Sequence, residues 1–598
     1  MKSFIKYVLA TVVGLLVTGI IFSILSIISL VGMASMSTVK PDIEDNSVLV
    51  IKLDGSIDER KQENPLAFLT NGSADKGSGL DVILTAIKNA KDNENVKGIY
   101  IEAGSGVSTT PAALQEIRKQ LVDFKKSGKF ILAYGETFTL GSYYVGSVAD
   151  SVVINPQGII DWRGMAMQTT YYKDLLDKIG VKMQIVKVGT YKSAVEPYIL
   201  NDMSEANREQ LTVLSNELWG EITADVSKSR KISVEKLNEY ADSLITFADP
   251  TIYKKYKMVD KLAFSDEVPQ IIANMMGVEK AKDYNTVSVN DMAAVTNNEP
   301  KDPSGNIIAV YYATGEIVQE ESSTSSLSQE DQIVGTEVIK DLKALADDED
   351  VKAVVLRVNS PGGSAYASEQ IWHQVMNIKA NKPIIVSMGG YAASGGYYIS
   401  CAADWIVAEP NTITGSIGIF GMFPEASELL NDKLGVHTST VKTNLHSDFG
   451  DLTRPLSEGE RGILQAYVNR GYELFTKRCA DGRKMKQDDI KAIGEGRVWT
   501  GAHAKKLGLV DQLGGINDAI AVAKKKAKVE KCTVMTYPDK KGIFDNLLDN
   551  ATSTDSYADG KIREALGDDY YNMFSNIKNI KNKSKIQASM PFYLMFNL

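Results

Sequence analysis

The reactive side chains of this chain gather in two glycine-rich turns and one lysine-bearing stretch. Ser394 stands in Gly389-Gly-Tyr-Ala-Ala-Ser-Gly-Gly396. Its small neighbours let a substrate backbone approach the hydroxyl, and the helix expected to follow favours negative charge at its start. In Asn359-Ser-Pro-Gly-Gly-Ser364, Gly362 and Gly363 can turn backbone N–H groups toward a developing oxyanion. A serine needs a base before it becomes a nucleophile, and Lys192, in Val188-Gly-Thr-Tyr-Lys-Ser-Ala-Val-Glu-Pro197, is the candidate. A free lysine with a pKa of about 10.4 is neutral in only about one molecule in 2,500 at pH 7. Burial against apolar walls can lower that value by up to about 3–5 units. Ser416, in Thr414-Gly-Ser-Ile-Gly418, is a candidate for orienting the amine. Each feature also has a plainer reading: glycine makes tight connections routinely, and most lysines are solvated.

The elements that must position these groups are written twice. Val48–Ile57 reads like Ile308–Ile317, Asn95–Ile101 like Asp350–Leu356, and Gly141–Asp150 like Gly395–Asp404. The order is kept at an offset near 255, so the chain is a duplication. Val96–Ile101 and Val351–Val358 are short, β-branched runs, and they predict buried strands. Ala113–Phe124 and Ser368–Ile378 predict the helices that follow, and Phe130–Tyr134 and Pro383–Met388 the next strands. That alternation implies parallel βαβ units and an α/β fold, whose sites lie at the carboxyl ends of the strands. The repeat places Leu140 opposite Ser394, Ser447 opposite Lys192 and Trp162 opposite Ser416. One unit keeps a serine and the other a lysine, the complementary loss expected of a composite site.

Composition narrows the class. The 598 residues include 66 basic and 75 acidic side chains, a net charge of −9, which argues against a nucleic-acid partner. The three cysteines form no CxxC pair and the four histidines no HExxH, so no metal site is expected. No GxxxxGK[ST] is present, so no nucleotide is expected either. After Lys2 and Lys6 no charged residue occurs from Tyr7 to Val39. That run exceeds the roughly 20 apolar residues that span a bilayer. Its length favours an uncleaved transmembrane anchor, although Gly32-Met33-Ala34 resembles a small-residue cleavage site. The leading lysines place the short N-terminus in the cytoplasm and the bulk of the chain outside.

Taken together, these motifs resemble the signal peptide peptidase A (protease IV) family in its long duplicated form. The resemblance rests on the anchor, Gly189–Pro197, Asn359–Ser364, Ala392–Tyr397, Thr414–Gly421 and Gly496–Gly501 through Gly508–Asp511. It implies tandem Clp-protease/crotonase-like domains behind one N-terminal transmembrane helix, assembled as a membrane-anchored homotetramer with inward-facing sites. It further implies a Ser/Lys dyad with Ser394 as nucleophile and Lys192 as general base. Gly363 and Gly395 N–H groups would form the oxyanion hole, and Ser416 would hold the lysine. The expected substrates are signal-peptide remnants and similar apolar peptides, cleaved without a cofactor at the outer side of a bacterial cytoplasmic membrane.

The expected divisions are an N-terminus and anchor (1–46), a lysine-bearing repeat (47–297), a linker (298–305), a serine-bearing repeat (306–540) and a tail (541–598). The apolar end of that tail, Pro591–Leu598, fits a docking strand or a frayed end. Three other readings compete. Ser394 could work with His446 in a triad, since His446 lies one position from the repeat counterpart of Lys192. The glycine N–H groups could polarise an acyl-CoA thioester, which the anchor disfavours. The chain could be an inactive crotonase-like membrane scaffold, which the intact serine, lysine and glycine set disfavours.

Overall fold

The structure is a computed structural model, and it describes residues 41–61, 77–295, 305–320, 332–539 and 585–590, with Gly14, Thr18 and Gly19. The two repeats build one sheet each around five parallel strands, in the same order. In the first, Ser47–Asp58, Val96–Ser108, Phe130–Phe138, Ser151–Ile160 and Lys261–Leu262 lie side by side. In the second, the order is Ile307–Thr314, Val351–Ser360, Ile384–Ala393, Trp405–Ala408 and Gln512–Leu513. Each first strand also takes a late partner on its outer side, Asn285–Ser288 in one unit and Thr533–Tyr537 in the other.

The strands are apolar on both faces because helices cover both sides, as parallel sheets require. Ile384–Ala393, for example, is buried at every position except Tyr391. Pro111–Phe124 and Ala365–Lys379 are corresponding crossover helices. The first starts where Thr110 Oγ1 accepts the Ala113 N–H at 3.3 Å, with Pro111 at the first helical position.

Strand ends depart from the sequence expectation in an informative way. The predicted strands at Val96, Val351, Phe130 and Pro383 all run further toward their carboxyl ends. Gly389–Ala393, read from sequence as part of a turn, continues the strand, and the chain reverses only at Ser394. The glycines there serve close packing: a β-carbon on Gly390 would lie 2.4 Å from the Thr110 side chain.

A third, mixed sheet joins the repeats. Its order is Gln332–Val334, Glu316–Val318, Gly362–Ser364, Ile586–Ser589, Phe420–Glu425 and Lys182–Lys187. Lys182–Lys187 belongs to the first repeat and runs antiparallel to Phe420–Glu425 of the second, with Lys187 opposite Phe420. Ile586–Ser589 comes from the tail and sits between two strands of the second repeat. The docking strand of the tail is therefore this segment, which directly precedes the apolar end; Pro591–Leu598 lies outside the described residues.

A buried ion network ties the units together beneath the sheets. Arg357, on a central strand of the second repeat, donates to Glu59 at 2.8 and 3.0 Å and to Glu116 at 2.6 Å, both in the first. It also donates to Ser387 Oγ at 2.9 Å. No described helix is long and apolar enough to cross a membrane. The apolar run at 7–39, the linker and most of the acidic, serine-rich segment at 320–329 fall outside the described residues apart from isolated positions.

Candidate active site

Ser394 occupies a sharp strand-to-helix corner. The Ile384–Ala393 strand ends one residue before it, and the helix Gly395–Ser400 begins one residue after. Its backbone is at φ 54°, ψ −111°, a conformation that costs a non-glycine residue energy and persists only where the surroundings enforce it. Two hydrogen bonds enforce it here. The Ser394 N–H donates to the Gly415 carbonyl, and the Tyr398 N–H donates to the Ser394 carbonyl, both at 2.8 Å. Glycines supply the room: a β-carbon on Gly396 would lie 2.7 Å from the Ser360 carbonyl oxygen.

Lys192 reaches the same place from the other repeat. The antiparallel pairing of Lys182–Lys187 with Phe420–Glu425 delivers the chain to Val188, whose N–H donates to the Ile419 carbonyl at 3.1 Å. Gly189 then turns at φ 106°, and the Tyr191 N–H donates to the Glu495 carbonyl at 2.9 Å. Gln210, on the Glu205–Arg230 helix, clamps the loop by donating to the Tyr191 carbonyl and Ser193 Oγ at 3.1 and 3.0 Å. The lysine stem passes through a glycine gap. A β-carbon on Gly496 would come within 2.7 Å of Lys192 Cα, and one on Gly418 within 3.3 Å of Lys192 Cδ.

Lys192 Nζ thereby lies 2.9 Å from Ser394 Oγ, and it donates to Ser416 Oγ at 3.0 Å and to the Ser416 carbonyl at 3.2 Å. Lys192, Ser394 and Ser416 are all fully buried. Burial holds the amine well below the ordinary lysine range, and no acidic side chain among the described residues compensates it. The Phe420 ring centre lies 6.0 Å from Nζ and forms part of the apolar wall. Ser416 is itself held at φ 50°, its N–H donating to the Arg497 carbonyl at 2.7 Å.

The glycine turn Pro361–Ser364 flanks the serine. Gly362 and Gly363 are at φ 104° and 151°, backbone that other residues adopt only with strain. A β-carbon on Gly362 would lie 2.8 Å from the Gly395 nitrogen, so the turn abuts the residue that follows the serine. The five residues singled out by sequence, Ser394, Lys192, Ser416, Gly363 and Gly395, are thus brought together. His446 is not among the groups contacting them; it is a half-exposed loop residue whose Nδ1 lies 3.1 Å from Glu460 Oε1.

The corresponding place in the first repeat is filled. Trp162, the repeat counterpart of Ser416, is fully buried and donates from Nε1 to the Leu237 carbonyl at 2.8 Å. Its ring packs 5.6 Å from Tyr143 and 4.9 Å from Trp219, centre to centre. Sequence reasoning missed Gln210 and gave no role to Gly496 and Phe420, which stand in motifs it singled out; all three hold or wall the lysine. A glycine beside the arginine in Gly494-Glu-Gly-Arg497 was visible, but nothing local said that a side chain from the other repeat threads past it.

Comparison with known proteins agrees with this architecture. Residues 123–279 and 377–530 both match peptidase family S49, one match in each repeat, and residues 311–412 match Clp protease. The chain is 37% identical over 511 residues to Protease 4 of Salmonella typhi, covering 84% of this chain and 78% of that one. It is 32% identical over 520 residues to Protease 4 of Haemophilus influenzae, covering 84% and 83%. It is 29% identical over 498 residues to the chloroplastic serine protease SPPA of Arabidopsis thaliana, covering 81% and 70%. With two matched segments, one per repeat, and relatives aligned over most of its length, the chain is a duplicated member of peptidase family S49.

Proposed function

We propose that this protein is a membrane-anchored serine endopeptidase that degrades cleaved signal peptides and similar apolar, unfolded peptides through a Ser/Lys dyad. Ser394 is the nucleophile and Lys192 the general base. The observation that carries the reading is the 2.9 Å approach of a fully buried lysine to a serine on a strained corner. A neutral amine has two N–H groups and one lone pair. The two N–H groups are spoken for by the Ser416 hydroxyl and carbonyl oxygens. The lone pair is left for the Ser394 hydroxyl proton.

In the reaction, Ser394 Oγ attacks the peptide carbonyl carbon as its proton passes to Lys192 Nζ. The carbonyl oxygen becomes an oxyanion, stabilised by the Gly363 and Gly395 N–H groups. The C–N bond breaks, the amine leaves with the proton from Lys192, and an ester to Ser394 remains. Water then gives its proton to Lys192 and hydrolyses the ester. Buried surroundings favour this chemistry twice, by keeping the amine neutral and by strengthening the oxyanion's hydrogen bonds.

The same reading divides the chain at the linker 298–305, with the base in repeat 47–297 and the nucleophile in repeat 306–540. It anchors the protein through the apolar run at 7–39 in membrane lipid and assembles it as a homotetramer. The Protease 4 and SPPA relatives support a peptidase activity on peptide substrates. The test is turnover of an apolar fluorogenic peptide by detergent-solubilised protein beside Ser394→Ala and Lys192→Ala, each checked for folding. Both variants should lose at least about a thousandfold in kcat, as removal of one member of a catalytic unit does elsewhere. Unchanged turnover in Lys192→Ala would overturn the dyad.

A further inference from the structure

Arg497 stands outside the reacting groups yet holds both of their supports. Its guanidinium carbon lies 4.6 Å from the Tyr191 ring centre and 4.7 Å from the Trp499 ring centre. Tyr191 belongs to the first repeat and directly precedes Lys192; Trp499 belongs to the second. A cation over an aromatic face is attracted by the ring's quadrupole, and the planar guanidinium also stacks. Glu209, on the Glu205–Arg230 helix, closes the circuit. Its Oε1 lies 2.9 Å from Arg497 Nη2, and its Oε2 accepts the Tyr191 hydroxyl at 3.2 Å. The carboxylate is half-exposed, so this ion pair alone contributes little. The aromatic contacts are what fasten the loop.

The main chain of Arg497 serves the other half of the site. Its carbonyl accepts the Ser416 N–H at 2.7 Å, and Ser416 in turn accepts from Lys192 Nζ. The strand Val498–Thr500 begins at the next residue, antiparallel to Ile413–Gly415, and the Val498 N–H donates to Gln210 Oε1 at 3.3 Å. One residue thus grips the loop of the base with its side chain and fixes the group that aims the base with its carbonyl. The other charged groups around that loop are Lys187 and Glu495. Lys187 Nζ donates to the Lys192 carbonyl at 3.4 Å, and Glu495 Oε2 accepts the Thr190 N–H at 3.3 Å.

The repeat that lacks the dyad lacks this device too. Carrying the match of Lys257–Leu262 with Gly508–Leu513 back along the chain places Thr246 opposite Arg497 and Ala248 opposite Trp499. The helices Pro250–Lys255 and Gly501–Lys506, capped by Asp249 and Thr500, fall in the same register. There the Trp162 N–H donates to Thr246 Oγ1 at 3.1 Å, where the second repeat uses the Arg497 carbonyl.

We propose that Arg497 is a positioning residue for the reaction: it presses the Lys192 loop onto the second repeat, holds the amine against Ser394 and keeps water from it. The inference rests on Lys192 being the base. Without the guanidinium, Tyr191 loses its tie to the second repeat and the loop loosens. The depression of the amine is caused by burial, so water entering the loop would favour the charged form again.

The test is steady-state kinetics across pH on the full chain in detergent, with an apolar fluorogenic peptide. Wild type, Lys192→Ala, Arg497→Ala, Arg497→Lys and Tyr191→Leu are compared, each checked by thermal melting. Arg497→Ala should lower kcat about 10–100-fold with KM little changed, the cost of misplacing a reacting group by about 1 Å. The acid limb of its kcat profile should move to higher pH by at least about 0.5, as a hydrated amine requires. Arg497→Lys keeps the charge but not the plane and should recover only part of the rate. Tyr191→Leu leaves Arg497 in place and should move the limb the same way, which decides the matter if Arg497→Ala does not fold. A wild-type kcat and acid limb in both variants would overturn the inference and leave a fastener between the repeats. A raised KM at unchanged kcat would assign Arg497 to substrate binding and overturn it as well. Activity retained in Lys192→Ala would instead overturn the dyad reading, and this inference with it.

Discussion

Lys192 Nζ and Ser394 Oγ, separated by 202 positions in the chain and belonging to different repeats, lie 2.9 Å apart in a site closed to solvent. Neither repeat holds both groups. The strand Lys182–Lys187, lent by the first repeat to the mixed sheet, carries the lysine across.

Activity should follow the neutral form of Lys192. Its folded pKa is depressed by burial, so kcat/KM should fall as pH drops through that value and level off above it. The stability sign follows. Between the folded value and about 10.4 the unfolded chain binds a proton that the folded chain does not, so stability rises with pH. Against Lys192→Met, wild type should show an extra slope of about 1.4 kcal/mol per pH unit in that window. Denaturant melts across the range measure it, and parallel slopes for the two proteins would contradict a depressed pKa.

Ser416→Ala removes one of two acceptors that aim the amine and leaves the carbonyl oxygen in place. The expected loss is on the order of 10–100-fold in kcat, smaller than loss of the base itself, with KM little changed. Steady-state kinetics check this. Ser416→Thr keeps the hydroxyl and should recover part of the rate, which a merely structural serine would not produce.

Gly496 and Gly435 are a matched pair for backbone strain. Both have positive φ, 79° and 66°, but a β-carbon on Gly496 meets Lys192 at 2.7 Å, whereas one on Gly435 meets no atom of the described residues within 4 Å. Gly435→Ala should cost about 1 kcal/mol of stability through strain alone and leave kcat unchanged. Gly496→Ala should cost more, on the order of 1–3 kcal/mol, and lower kcat at least about tenfold by displacing the lysine. Thermal melts and kinetics on both variants separate the two effects.

Arg357→Leu would strand the buried Glu59 and Glu116 without their cation. A loss of about 3–5 kcal/mol is expected. Glu59 would then resist ionisation in the fold still more, since burial already raises it and the Arg357 charge that opposes that rise is gone. A raised folded pKa gives stability that is lost as pH rises, so the deficit against wild type should grow from acid to neutral pH. Melts at two pH values test it, and a deficit independent of pH would point to lost packing instead.

Much of this protein was legible in its residues. The duplicated strand and helix pattern is local, set by runs such as Val351–Val358, and it gave the parallel α/β plan and the strand ends as the place for a site. The split retention of Ser394 and Lys192 gave a composite site, because two halves of one chain that lose opposite groups need each other. Strand length was not legible: Gly389–Ala393 reads as a turn by composition, and only packing against Thr110 and neighbouring strands makes those glycines strand residues. Nor did the sequence show that Gly418 and Gly496 open a passage for the lysine, since a steric gap exists only once both repeats are placed. The tail strand was least legible of all. Ile586–Ser589 is too short to announce itself, and its β conformation depends on two neighbours, Gly362–Ser364 and Phe420–Gly421, far away in the chain. Residue types fix which groups can react, because chemistry belongs to the side chain. Distance, burial and the lysine's proton affinity come from the tertiary structure, because they depend on what surrounds that side chain.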